Sequence, residues 1–245
     1  MFTLSKKKAF TLAEILITLG IIGVISAMTI PALLADISTR KMETKFKKAY
    51  AQLNEMHKRY LAENDMAIPV GVRSGDYMSK IFPRYLKGFS NVNNDMWNTK
   101  DDKGEYSTEI YNKYKNFKDG TVKQLCDVSG AFADINGILY MWNDSPAEGE
   151  NGPIICVDLN GTEKPNIVGI DYFLFIPTVD GTVIPMGMED ANNSQSTSCG
   201  GNCFLDNSYC GSEKNNYSCA YWATIDKAPN GKGRYWKDYI KNRKF

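Results

Sequence analysis

Residues 6–34 read KKKAFTLAEILITLGIIGVISAMTIPALL, and this stretch decides the fold. Three lysines, Lys6, Lys7 and Lys8, precede a run of 25 residues from position 10 to position 34 whose only charge is Glu14. At about 1.5 Å per residue an α-helix over that run is roughly 37 Å long, enough to cross a hydrocarbon core of about 30 Å with some tilt. A secretory signal has a shorter apolar region, roughly 7 to 15 residues, and a small-residue cleavage site at its far end. Working outward, Met42, Phe46, Ala49, Leu53, Met56 and Tyr60 recur every three or four residues, the spacing of a one-faced helix. Lys41, Glu43, Lys45, Lys47, Lys48, Glu55 and Arg59 fill much of the rest of its surface. One helix is therefore predicted from about residue 10 to about residue 64, ended by Pro69 and Gly71.

Composition narrows the function classes. The 245 residues carry 29 Lys+Arg against 28 Asp+Glu, so no basic surplus marks a nucleic-acid binder. The single histidine, His57, cannot by itself build a multi-histidine zinc site or a two-histidine acid/base pair, and its place beside the apolar stripe predicts a packing or surface role. Neither a nucleophile elbow nor a phosphate loop is present.

The order Lys8-Ala9-Phe10-Thr11-Leu12-Ala13-Glu14, followed by about twenty apolar residues and an amphipathic continuation, resembles the signal of type IV pilins and type II secretion pseudopilins. The resemblance covers residues 1 to about 60. It implies cleavage by a prepilin peptidase between Ala9 and Phe10 and methylation of Phe10. Ala9 stands where the family usually has Gly. It further implies that Glu14 serves assembly, although a carboxylate so close to a helix end also reads as simply tolerated there. Pro31, deep in the run, removes one backbone hydrogen bond. The resemblance makes it a place where the helix loosens during fibre assembly; otherwise it marks a span ending a few residues later.

The expected organisation is a leader at 1–9, a transmembrane helix at 10–35, its amphipathic continuation at 36–66, and an extracytoplasmic globular domain at 67–245. Counting lysines and arginines near the span favours the opposite orientation, with Arg40, Lys41, Lys45, Lys47 and Lys48 outweighing the leader. Six cysteines in the soluble part point to an oxidising compartment, and with the resemblance they outweigh that count.

Residues 77–86 suggest a short helix and residues 91–118 a variable surface loop region. Strands are expected at 131–135, 138–142, 154–159, 170–176 and 182–185, separated by turn sequences that include Asn136-Gly137 and Asp180-Gly181. The fold class is thus α+β: a long N-terminal helix whose stripe packs on an antiparallel meander, which is also the pilin-like arrangement. Between the third and fourth expected strands, Asp158, Asn160 and Asp171 are hard oxygen ligands that could hold Ca²⁺, as in some major pseudopilins, but EF-hand spacing is absent. Asp134-Ile135-Asn136-Gly137 repeats the same D-x-N-G opening in a hairpin, so turn chemistry is the better reading. No other cofactor is expected. Cys199, Cys203, Cys210 and Cys219 lie at gaps unlike zinc pairs and read as disulfides with three pairings open; Cys126 and Cys156 most simply pair with each other. Tyr221, Trp222 and Trp236 read as core or interface before they read as a carbohydrate surface.

Two functions fit. One is a structural filament subunit, with prepilin peptidase, like subunits, an inner-membrane assembly platform and membrane lipid as partners and no nucleic acid. The other is a membrane-anchored extracytoplasmic binding protein or enzyme.

Overall fold

The computed structural model describes residues 10–67, 80–81, 83–86, 90–92, 114–122, 126, 131–142, 154–161, 163–178, 180–188, 210–211, 216–241 and 243. The expected leader with Ala9, the greater part of the expected surface-loop region, Pro69, Gly71, Cys199 and Cys203 lie outside the described residues.

Helix α1 runs over Leu12–Asn64. Thr11 caps it: the Glu14 N–H donates to Thr11 Oγ1 at 3.2 Å, and the Thr11 N–H donates back to Glu14 Oε2 at 2.8 Å. At its other end Asp65 adopts a left-handed conformation, φ 53°, and its N–H donates to the Leu61 carbonyl. Pro31 sits inside α1 without ending it. The buried residues of α1 are Phe46, Ala49, Leu53, Met56, His57 and Tyr60, with Met42 half-buried against the same core. The expected stripe is therefore the packed face.

Among the described residues six antiparallel strands follow in chain order: β1 Ser90–Val92, β2 Ala131–Ala133, β3 Leu139–Trp142, β4 Ile155–Asp158, β5 Tyr172–Pro177 and β6 Val183–Pro185. Successive residues face opposite sides of the sheet. Phe132, Tyr140, Trp142, Ile155, Val157, Phe173 and Phe175 share one buried cluster with α1, where Phe46 sits edge-on to Phe173 at 4.6 Å between ring centroids. Ala131, Leu139, Met141, Cys156, Leu174 and Ile176 form a second buried layer with Tyr114, Val122, Met186 and Tyr217. Burial on both faces explains why β4 and β5 read as continuous apolar runs.

Strand β2 stops two residues before its expected end because Asp134 turns the chain. Its Oδ1 accepts the N–H groups of Asn136 and Ile138, leaving Ile135 84% exposed on the turn. Residues 80–81 and 83–85 are helical, as residues 77–86 suggest. The surface-loop reading of 91–118 fails at both ends: Asn91 and Val92 belong to β1, and Tyr114 and Asn116 are buried.

A short helix, α2, spans Cys219–Ile225, and a π-helical segment, α3, spans Tyr235–Ile240. Disulfides join Cys126 to Cys156 and Cys210 to Cys219. The first bridges a sequence separation of 30 residues and ties Cys126 to β4. Restriction of the unfolded chain by a loop of that length contributes about 3–4 kcal/mol. Replacing both Cys126 and Cys156 by alanine is expected to lower unfolding stability by that amount, read from urea midpoints under non-reducing conditions.

Candidate functional site

From Phe10 to Leu34 the helix presents its apolar side chains outward on every side, with Phe10 83%, Leu16 61% and Leu34 59% exposed. The domain begins to cover α1 only beyond this run, so the apolar surface of these residues is left bare by the described residues of the chain. A helix apolar all round is stable only inside a membrane or among other helices. At its tip the Glu14 carboxylate accepts the Thr11 N–H and hydroxyl at 2.8 and 2.9 Å. The acid is held over the helix N-terminus, where a negative charge is favourable. Thr11 as the partner of Glu14 was legible in the T-x-x-E spacing, a signal the sequence reading passed over.

The hairpin between β4 and β5 places Asp158 and Asp171 in the interior, both fully buried. Asp171 accepts the N–H of Asn166 and of Ile167, each at 2.7 Å, which pins the turn before β5 and delays that strand to Tyr172. Asp158 accepts the Asn160 N–H at 3.1 Å through Oδ1 and the Tyr114 hydroxyl at 2.6 Å through Oδ2. Burial raises the Tyr114 hydroxyl well above its ordinary range and keeps it a donor. Asn160 donates to the carbonyls of Glu163 and Lys164. The two carboxylates thus accept hydrogen bonds from the loop's own amides and, at Asp158, from Tyr114, and no cluster of three or more His, Cys, Asp or Glu suited to a metal occurs among the described residues. Tyr114, 44 residues from Asp158, has no local signal in the sequence.

His57 is buried on α1 at 1% exposure, neither ring nitrogen making a well-aligned hydrogen bond. Burial pushes its pKa down to about 4, the Leu53 carbonyl compensating only in part. Burial pushes Asp171 up to about 6, opposed by the amides of Ile167 and Asn166. These two groups act oppositely on stability. Between pH 4 and 6.5 the folded state binds fewer protons at His57 than the unfolded chain, so that contribution is complete above pH 6.5 and is lost as pH falls. Between about pH 4 and 6 the folded state binds more protons at Asp171, so that contribution is complete at the acid end and is lost as pH rises. The two contributions oppose each other. In urea unfolding of the detergent-solubilised chain, His57→Leu is expected to make stability fall from pH 4 to 6 and Asp171→Asn to make it rise. Parallel profiles in the two variants would refute the opposition.

Among the aromatic candidates, Trp236 is fully buried in the main core, and Tyr221 and Trp222 are half-buried.

Residues 4–30 match the family model described as the prokaryotic N-terminal methylation motif. No curated protein and no solved structure matches the chain. The match falls on the basic segment, the cap at Thr11 and Glu14, and the uncovered apolar helix, so that the chain carries the prepilin-type signal of type IV pilins and pseudopilins at the head of a long helix packed on an antiparallel sheet.

Proposed function

We propose that this protein is a structural subunit, a pilin or pseudopilin, of a filament of the type IV pilus or type II secretion kind. The observation that carries this reading is the methylation motif lying on a helix whose apolar surface the fold leaves bare. In this reading residues 1–9 are a leader removed by prepilin peptidase. Residues 10–35 hold the subunit in the inner membrane, and residues 36–66 and 67–245 form the part outside the cytoplasm. An assembly platform moves the subunit into the filament, where the apolar helices of like subunits replace lipid around one another and Glu14 meets the amine of a neighbouring Phe10. Pro31, which leaves one helical carbonyl without its amide partner, supplies a place where α1 can loosen during that transfer. Disulfides across the domain suit the oxidising side of the membrane.

The mass of the N-terminal peptide from protein made in its own host tests the reading. A peptide beginning at methylated Phe10 is expected, and an intact Met1 would turn the helix into a simple anchor for a binding protein or enzyme. Ala9→Gly is expected to process at least as fast as the parent, whereas Ala9→Leu is expected to accumulate as precursor. Processing unchanged in both would point to another protease.

A further inference from the structure

An open groove of about 1080 Å³ lies where α1 leaves its apolar run and the domain begins. One wall is Ala35, Ser38, Thr39 and Met42 of α1; the others come from residues 115–119, 164–170 and 240–243. Its apolar lining includes Phe117, Pro165, Ile167 and Ile240. Its charged lining is Lys115, Lys164, Lys241 and Arg243 against one carboxylate, Asp119. Lys115 pairs with Asp119 at 3.5 Å, and Lys241 with Asp36, just outside the groove, at 2.9 Å. Lys164 is exposed and, among the described residues, has no ion-pair partner. The Arg243 guanidinium carbon lies over the rings of Phe117 and Tyr239, 4.0 and 4.4 Å from their centroids; the side chain also hydrogen-bonds Tyr239, and its buried Nε–H has no acceptor. The stacking fixes the guanidinium at the groove while leaving donors of a planar cation to spare.

We infer that this groove holds the headgroup of an anionic phospholipid of the membrane in which α1 sits, its phosphate between Lys164 and Arg243 and the start of its acyl chains on the apolar lining. The inference rests on the membrane reading given above. Position supports it: with Leu34 at the end of the apolar run, Ala35 to Met42 lie roughly 2 to 12 Å farther along the helix, and the headgroup layer is about 5–8 Å deep. Charge supports it as well, since a surplus of three cations in a chain whose net charge is only +1 is a local concentration. A groove lined by both cations and apolar side chains matches a ligand with a phosphate at one end and hydrocarbon at the other. An acidic segment of a second copy would match the charge but not the depth in the membrane.

The test uses the full chain in nanodiscs of phosphatidylcholine alone and of phosphatidylcholine with phosphatidylglycerol. Lipids retained on the protein are read by native mass spectrometry, and protection of residues 115–119 and 164–170 by hydrogen exchange. The parent is expected to retain phosphatidylglycerol preferentially and to gain protection in both segments only when it is present. With about one Lys/Arg contribution lost at each of two positions, Lys164→Ala with Arg243→Ala is expected to cut the preference about thirty-fold, while Lys58→Ala with Lys227→Ala, away from the groove, leaves it unchanged. Insertion without any preference, or a preference the groove variant keeps, would overturn the inference alone. Protection produced by inorganic phosphate in pure phosphatidylcholine, or growing with protein concentration there, would give the groove to a free anion or to a second copy and overturn it too. Failure of the chain to float with phosphatidylcholine vesicles would overturn the membrane reading and the inference together.

Discussion

Filaments are expected to disappear on Glu14→Gln as completely as on Glu14→Val, with the domain melting as before and the chain still in the membrane. The pair of substitutions separates two jobs that one carboxylate can do. Within a single chain Glu14 closes a capping box with Thr11, and glutamine at that position keeps such a box. In the proposed filament the same carboxylate also offsets the buried α-amine of a neighbouring Phe10, which only a charge can do. Removing one partner of a buried ion pair costs about 3–5 kcal/mol because the other is left uncompensated. Per subunit contact that corresponds to a loss of association of roughly two to four decades, ample to prevent a polymer. Capping, in contrast, is worth about 1 kcal/mol at the end of a 53-residue helix. Filament counts by electron microscopy, alongside membrane flotation and the thermal midpoint of the domain, supply the comparison. Ordinary filaments from Glu14→Gln would confine Glu14 to the cap and remove it from assembly.

How much of this molecule could be read from its residues follows the range of each interaction. The helix was legible from end to end because its signals are local: an apolar run, a stripe at three- and four-residue spacing, and turn residues after Asn64. Five of the six strands were legible because Asn136-Gly137 and Asp180-Gly181 place φ > 0 residues, Gly137 at 71° and Gly181 at 81°, between apolar runs. The strand ends were harder. β5 starts at Tyr172 and not at residue 170 because the Asp171 side chain holds the amides of Asn166 and Ile167, a competition that hydropathy does not register. Strand β1, only Ser-Asn-Val, has no alternation to announce it and owes its conformation to pairing with Ala131–Ala133 across a gap of about forty residues. The pairing of Tyr114 with Asp158 was invisible for the same reason, and so was the cationic groove, which four separate segments build.

The contact that ties the C-terminal segment into the core should also be costly to remove. Trp236→Ala is expected to lower stability by about 3–5 kcal/mol, the range for deleting a buried tryptophan side chain. Trp236 is fully buried, with ring centroids 5.5 Å from Phe46 of α1 and 5.7 Å from Phe173 of β5, so it joins the C-terminal segment to both layers at once. Its indole N–H donates at 3.1 Å to the carbonyl of Ala223, one of the last-turn carbonyls of α2 that the helix itself cannot satisfy. Two ion pairs flank it, Lys241 to Asp36 at 2.9 Å and Arg234 to Glu43 at 3.8 Å, but both are partly exposed and worth at most about 1 kcal/mol each. Packing therefore outweighs charge in docking α3 on α1. Trp236→Phe separates the contributions: it keeps most of the ring contacts but orphans the Ala223 carbonyl, for an expected loss of about 1–3 kcal/mol. For a chain of this size each kcal/mol moves the thermal midpoint by about 2–4 °C, so the alanine variant should melt roughly 6–20 °C below the parent and the phenylalanine variant between the two. Equal midpoints for Trp236→Ala and the parent would mean that the C-terminal segment rests on the domain without stabilising it, and that the helix–sheet interface is complete without Trp236.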